Sequence, residues 1–177
     1  MKKILFIIDT LEIGGAEKAL LSQAKEFYRI GFEIHCIILY PKIQLEIPTY
    51  INLHCLNWKN YKILKYQRNI KKLYFLIDNL NIEFDLILVH LNKPIRLMQN
   101  YKHNYIYNII HTTLSKNEPN LLVNKKELKK IRNIYDNLNI ITVSEGIRID
   151  ILDTLGIKPK YIETIYNSIE PLADSKI

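Results

Sequence analysis

The chain has 177 residues, the length of one ordinary domain, with 48% apolar and 24% charged residues. That balance excludes a disordered tail, a collagen-like chain and a coiled coil, and no apolar run exceeds five residues, far short of the ~20 needed to span a bilayer. Lys and Arg total 25 against 18 Asp and Glu, a formal charge of +7, which favours anionic partners without choosing among nucleic acid, anionic lipid and phosphorylated substrates.

Lys3 to Asp9 is a continuous apolar run ending in an acid, the pattern of a strand buried on both faces of a parallel sheet. Met1 to Asp9 is too short, and meets that acid too early, to read as a signal peptide. Thr10 to Gly15 is a loop with two glycines. Ala16 to Ile30 has helical apolar spacing, and Gly31 is its expected C-terminal cap. Glu33 to Tyr40 is a second strand stopped by Pro41, so the first forty residues form a βαβ unit. Tyr50 to Leu56 is a short third strand, and Tyr61 to Leu80 a long amphipathic helix. Phe84 to His90 is a fourth strand. Pro94 suits the first turn of a helix running to about Tyr101. Tyr105 to His111 is a fifth strand, Thr112 to Asn120 a polar loop, and Leu121 to Asn137 a single helix. Asn139 to Val143 is a sixth strand. Ser144 caps a helix through Leu155 that Gly156 closes. Tyr161 to Tyr166 is a seventh strand. The alternation predicts an α/β domain over residues 1–170, a Rossmann-like, doubly wound and mostly parallel sheet of about seven strands. Residues 171–177 read as a tail or the start of an interdomain linker.

Two cysteines, Cys36 and Cys55, each lie in an apolar strand-like run and read as reduced thiols of a cytoplasmic protein. The densest basic stretch runs from Trp58 to Ile77 and carries Lys59, Lys62, Lys65, Arg68, Lys71 and Lys72 with no acid. It is either a solvated helix face or a surface for an anionic membrane.

Ligands of such sheets gather at the carboxyl ends of the strands. The candidate segments are therefore Asp9 to Gly15, His90 to Lys93, His111 to Ser115, Ser144 to Gly146 and Asn167 to Glu170. Gly14 and Gly15 before a helix can bring backbone N–H groups against a phosphate, or merely let the strand turn. Glu17 complements the helix dipole. Neither GxGxxG nor GxxxxGK[ST] is present. His90 and His111 both end strands at the ligand edge, which makes them candidates above ordinary structural histidines. Ser144 reads as an N-cap or as a rim residue. No metal-ligand spacing and no nucleophile elbow occurs.

At these strand ends the sequence resembles glycosyltransferase family 4. Ile8-Asp9-Thr10-Leu11-Glu12-Ile13-Gly14-Gly15-Ala16-Glu17-Lys18-Ala19-Leu20-Leu21 is similar to that family's glycine loop and first helix. Ile141-Thr142-Val143-Ser144-Glu145-Gly146-Ile147 is similar to a strand-to-helix turn of the family. Gly156-Ile157-Lys158-Pro159 with Ile165-Tyr166-Asn167-Ser168-Ile169 is similar to its last N-domain strand, with Ser168 where glycine is usual. The resemblance implies the N-terminal, acceptor-side half of a retaining GT-B enzyme that takes a nucleotide-sugar donor and a glycan or lipid-linked acceptor. Surface polysaccharide or lipopolysaccharide synthesis is the context it implies. It implies no metal and no cofactor beyond the donor substrate, a C-terminal donor-binding domain in cis or in trans, and an inactive chain without that domain. It assigns His111 as the catalytic candidate near the transferred sugar. Gly14, Gly15, Glu17, His90, Thr112, Ser144, Glu145 and Asn167 are the substrate-binding candidates. The expected location is the cytoplasm, with peripheral contact to an anionic membrane through Lys59 to Lys72. The rival class is a non-catalytic α/β module for a phosphorylated ligand or nucleic acid, although no RNA motif or helix-turn-helix is visible and no nucleic-acid partner is expected.

Overall fold

The computed structural model describes residues 1–57, 63–117 and 120–168, with the backbone alone for 63–66. Trp58, Lys59, Tyr61, Lys62, Pro119 and the segment from Ile169 onward, with the side chain of Lys65, lie outside the described residues. Seven strands form one sheet: β1 (Lys3–Ile8), β2 (Glu33–Ile38), β3 (Ile51–Cys55), β4 (Leu86–His90), β5 (Ile106–Ile110), β6 (Asn139–Thr142) and β7 (Tyr161–Thr164). Every pairing is parallel, and the order is β3-β2-β1-β4-β5-β6-β7. The sheet is thus wholly parallel, with β1 and β4 side by side at the point where the winding reverses. That reversal opens a crevice beyond the carboxyl ends of β1 and β4.

The central strands β1, β2 and β4 are apolar along most of their length because both faces are covered. In β1, Leu5 and Ile7 point to one core, and Ile4, Phe6 and Ile8 to the other, all fully buried. The second core packs against α1 (Gly15–Arg29) through Leu20 and Ala24. The first is covered by α2 (Ile63–Asn79), α3 (Asn92–Met98) and α6 (Lys125–Tyr135), whose Leu73, Ile77, Ile95, Ile131 and Tyr135 are buried in it. Asp85 ties the first strand's start, its carboxylate accepting from Lys3 N–H at 2.7 Å. Gly31 and Gly156 sit at φ 92° and 61°, the left-handed conformation their capping role requires.

Four local expectations change. The third helix begins at Asn92, directly after β4, and ends at Met98. The polar loop after β5 contains a helical turn, α4 (Leu114–Asn117). The single helix expected from Leu121 to Asn137 is two, α5 (Asn120–Val123) and α6. Asn124 divides them by capping α6, its side chain accepting from Lys126 N–H at 3.0 Å and Glu127 N–H at 3.3 Å. The helix after Ser144 splits into α7 (Glu145–Ile149) and a π-helical turn, Asp150–Thr154. Periodicity alone does not separate these from continuous helices, because the apolar stripe runs on across each break.

Candidate functional site

The site is built from the residues just beyond β1, β4 and β5. His90 ends β4 with its ring inside the α1-side core, fully buried and 5.9 Å from the Phe6 ring. His111 sits one residue past β5 at the rim and is half-buried. His90 Nδ1 and His111 Nε2 are hydrogen-bonded at 3.0 Å, and the rings stack with centroids 5.2 Å apart. Burial pushes the His111 ring down to about 4. Burial, and then the neighbouring His111, hold His90 well below the usual imidazole range. At neutral pH both rings are uncharged, so the pair offers a directional donor or acceptor and no cation.

Directly after His90 the chain turns through Leu91 at φ 69° and ψ 155°, a conformation that strains a side-chain-bearing residue. The turn starts α3 at once and places Lys93 over the end of β1. Lys93 Nζ lies 4.5 Å from the Tyr40 ring centroid and donates to the Tyr40 hydroxyl. Asp9, the residue after β1, is largely buried, and its Oδ1 has no hydrogen-bond partner among the described residues. Burial pushes the Asp9 carboxyl up to about 6. Lys93 opposes that shift, and Glu17 adds to it. Asp9, Glu17, Lys93 and Tyr40 thus form a compact polar patch at the switch point. Asp9 and Lys93 both fall within the candidate segments read from sequence, but their juxtaposition depends on β1 lying beside β4, which local patterns do not encode.

Neither glycine of the pair sits at a positive φ. Gly14 is the N-cap of α1 at φ −159°, extended backbone open to any residue. A Cβ there would collide with the Glu17 carboxylate, whereas a Cβ on Gly15 would meet nothing within 4 Å. Gly15 therefore leaves open space in front of its backbone. It borders a concavity of about 570 Å³ shared with Lys18, Lys25, Tyr50, Asn167 and Ser168. The segment after β7 meets α1 there, since Ser168 Oγ and Ser22 Oγ are 2.8 Å apart.

The remaining candidates have structural partners. Thr112 Oγ1 accepts from Asn117 Nδ2 at 2.6 Å. Ser144 Oγ accepts from Ile147 N–H at 3.4 Å, as the N-cap of α7. Glu145 pairs with Arg148 at 2.7 Å and accepts from Thr164 Oγ1 at 3.0 Å. Those two hydrogen bonds hold its carboxyl below the usual range. One functional support was missed in the sequence. Asp150, 5% exposed, accepts from Ser115 N–H at 3.2 Å and from the Ser115 hydroxyl, and so anchors α4 just beyond His111. Its signal would have been an acid on the apolar stripe of a helix. A larger concavity of about 910 Å³, near Asp78, Phe84, Tyr101 and His103, lies at the opposite, amino-terminal edge of β4 and β5. The perturbed groups Asp9, His90 and His111 mark the carboxyl rim instead. Among the described residues no three of His, Cys, Asp or Glu converge so as to hold a metal ion. Both cysteines are free, and burial pushes the Cys36 thiol up to about 12, which makes it inert.

Against this geometry, the sequence model of Glycosyltransferase Family 4 matches residues 13–171. The chain belongs to glycosyltransferase family 4. Its sheet is the Rossmann-like fold of the N-terminal half of a GT-B glycosyltransferase. A relative from Campylobacter jejuni subsp. jejuni serotype O:2 is the N-acetylgalactosamine-N,N'-diacetylbacillosaminyl-diphospho-undecaprenol 4-alpha-N-acetylgalactosaminyltransferase. It is 30% identical over 183 residues, a match covering 96% of this chain and 49% of the relative. Sucrose-phosphate synthase from Thermosynechococcus elongatus superposes with a TM-score of 0.69 at 11% identity, covering 94% of this chain and 48% of that one. Anabaena HepE, solved in complex with UDP and glucose, superposes with a TM-score of 0.65 at 17% identity, covering 96% and 45%. The family-4 chain thus spans about half the length of the relatives it matches.

Proposed function

We propose that this family-4 chain is the acceptor-side half of a retaining hexosyltransferase. It would move a sugar from a nucleotide-sugar to a glycan or lipid-linked acceptor in surface polysaccharide or lipopolysaccharide synthesis. The observation that carries the reading is the uncharged His90–His111 pair set on the carboxyl rim beside the switch-point crevice. A neutral imidazole pair suits recognition of sugar hydroxyls, which are themselves neutral donors and acceptors. The open backbone at Gly15, at the N-terminus of α1, suits the approach of a phosphate. The relative's named acceptor is linked to diphospho-undecaprenol, which supports a lipid-linked acceptor here.

On this reading the reaction needs a donor-binding domain, in cis or in trans, to close the cleft and hold the leaving diphosphate. The chain's own share is to hold the acceptor, orient the transferred sugar through His111 and exclude water. The test is a transfer assay on the chain joined to a family-4 donor-binding domain, with UDP-sugars and an undecaprenyl-diphosphate-linked glycan. Product formation is expected. Gly15→Ala should fold normally, with a thermal midpoint unchanged or slightly higher, because alanine suits a helix better than glycine. Its KM should rise about tenfold, the cost of about 1.4 kcal/mol of lost approach. Binding of phosphorylated ligands without any transfer would favour the non-catalytic module.

Among the described residues no helix is long and apolar enough to cross a membrane. A lipid-linked acceptor then calls for a peripheral surface. The outer face of α2 carries exposed Arg68, Lys71 and Lys72 beside Phe75, which is 69% exposed. These positions share one helix face, an interfacial pattern of cations around an aromatic. Cosedimentation with vesicles containing phosphatidylglycerol should exceed that with phosphatidylcholine alone. Arg68→Glu/Lys71→Glu/Lys72→Glu should remove roughly 3 kcal/mol of binding, at about 1 kcal/mol per cation. Equal binding by both proteins would leave this face as a solvated one.

A further inference from the structure

The His90–His111 pair has a direction that fixes what His111 presents to its ligand. A neutral imidazole carries one N–H and one lone pair. His90 is fully buried, and its Nε2 has no partner among the described residues. If the proton sat there, a buried donor would be orphaned, which native structures rarely tolerate. A buried bare acceptor is less unusual. The proton of His90 therefore belongs on Nδ1, where it donates to His111 Nε2 across 3.0 Å. His111 Nε2 is then an acceptor, and the proton of His111 must sit on Nδ1, which has no protein partner among the described residues. We propose that His90 is a positioning residue that locks His111 in the Nδ1–H tautomer, so that His111 meets the sugar as a hydrogen-bond donor. This rests on the glycosyltransferase reading only for the identity of the ligand. The tautomer stands on the pair's own geometry.

The molecule contains its own contrast. His35 Nδ1 and His54 Nε2 form a second stacked pair, 3.2 Å apart with ring centroids at 5.5 Å. There the inner ring's Nε2 lies 2.8 Å from Glu33 Oε1. The carboxylate can only accept, so His35 Nε2 carries a proton. The inner ring of that pair thus turns its Nε2 to a carboxylate, whereas His90 Nε2 meets no hydrogen-bond partner among the described residues. His103 is also an Nε2–H ring, since its Nε2 donates to the Phe84 carbonyl at 2.8 Å and its Nδ1 accepts from Tyr105 N–H at 3.2 Å.

The chain has five histidines, so long-range proton–nitrogen correlation spectra of the histidine-labelled 177-residue protein near neutral pH decide the matter. The expected spectrum has pyrrole-type Nε2 for His35 and His103 and pyrrole-type Nδ1 for His90 and His111. Pyrrole-type Nε2 on His111 would overturn the proposal whether or not the chain takes part in sugar transfer. His90→Asn keeps an N–H donor near the Nδ1 position and should preserve the His111 tautomer. His90→Asp, in its ionised form above the carboxyl's raised pKa, offers only acceptors there and should flip His111 to Nε2–H. In the assembled enzyme, transfer should be retained within about threefold for Asn. It should fall about a hundredfold for Asp, the usual range for losing one well-placed donor. A purely structural His90 would give equal losses for both and leave the His111 resonances unmoved. If the aspartate variant does not fold, the wild-type spectrum still decides.

Discussion

His111→Ala is expected to lower the transfer rate of the assembled two-domain enzyme by about 100- to 1,000-fold, the range seen when one preorganised donor is removed from a charge-developing centre. The alanine also leaves the buried His90 Nδ1 proton without an acceptor, a loss of about 1–3 kcal/mol of stability. Rates must therefore be compared per folded molecule. Two further variants separate the effects. His111→Gln places a carboxamide oxygen near the old Nε2 position, restores an acceptor for His90 and removes the outward donor. It should be as slow as alanine and more stable. His111→Asn places an amide N–H near the old Nδ1 position and should recover part of the rate. A His111→Gln enzyme with wild-type kcat would sink the assignment of His111 to the reacting sugar.

Stability is expected to fall as pH drops from about 6.5 toward 4, by on the order of 3 kcal/mol, read as urea midpoints across that range. The sign comes from proton counts. His90 and His111 stay neutral in the fold, with His111 pushed down to about 4 and His90 well below its usual range. In the unfolded chain both take up protons below about 6.5. Asp9 acts oppositely. Its carboxyl is raised to about 6 in the fold, so there the native state holds a proton that the unfolded chain releases. Two histidines against one aspartate leave the unfolded state about one proton richer, and acid favours it. Glu33 and Glu145 act in the same direction at lower pH, because hydrogen bonds from His35 and Arg148 hold their carboxyls down. His111→Gln should flatten the acid limb by removing one of the two titrating rings. A midpoint that rises on acidification would mean that the rings are charged in the fold.

The doubly wound α/β architecture was legible in the sequence because the central strands β1, β2 and β4 are apolar on both faces and α1, α2 and α6 only on one stripe. Lys3 to Ile8 and Leu86 to His90 have no polar face to turn to water, so they had to lie inside a two-sided sheet. The caps at Gly31, Ser144 and Gly156 were equally local, since each satisfies backbone groups within a few residues. The strand-end rule also put His90 and His111 on one rim, because all parallel strands end on the same side.

Proximity across that rim was decided by the tertiary structure alone. Strand order sets β4 between β1 and β5, so His90 reaches His111 on one side while Lys93 reaches the ends of β1 and β2 on the other. Nothing in the spacing of Asp9, Tyr40 and Lys93 announces that they meet, since contacts separated by tens of residues depend on which strands pair. Burial came from the same packing: the Phe6 side of the sheet closes over His90, strips it of water and leaves its Nε2 bare. Residue types and strand ends were written in local pattern. The charge state and polarity of the imidazole pair were not, because they come from desolvation, which only the folded sheet and its covering helix provide.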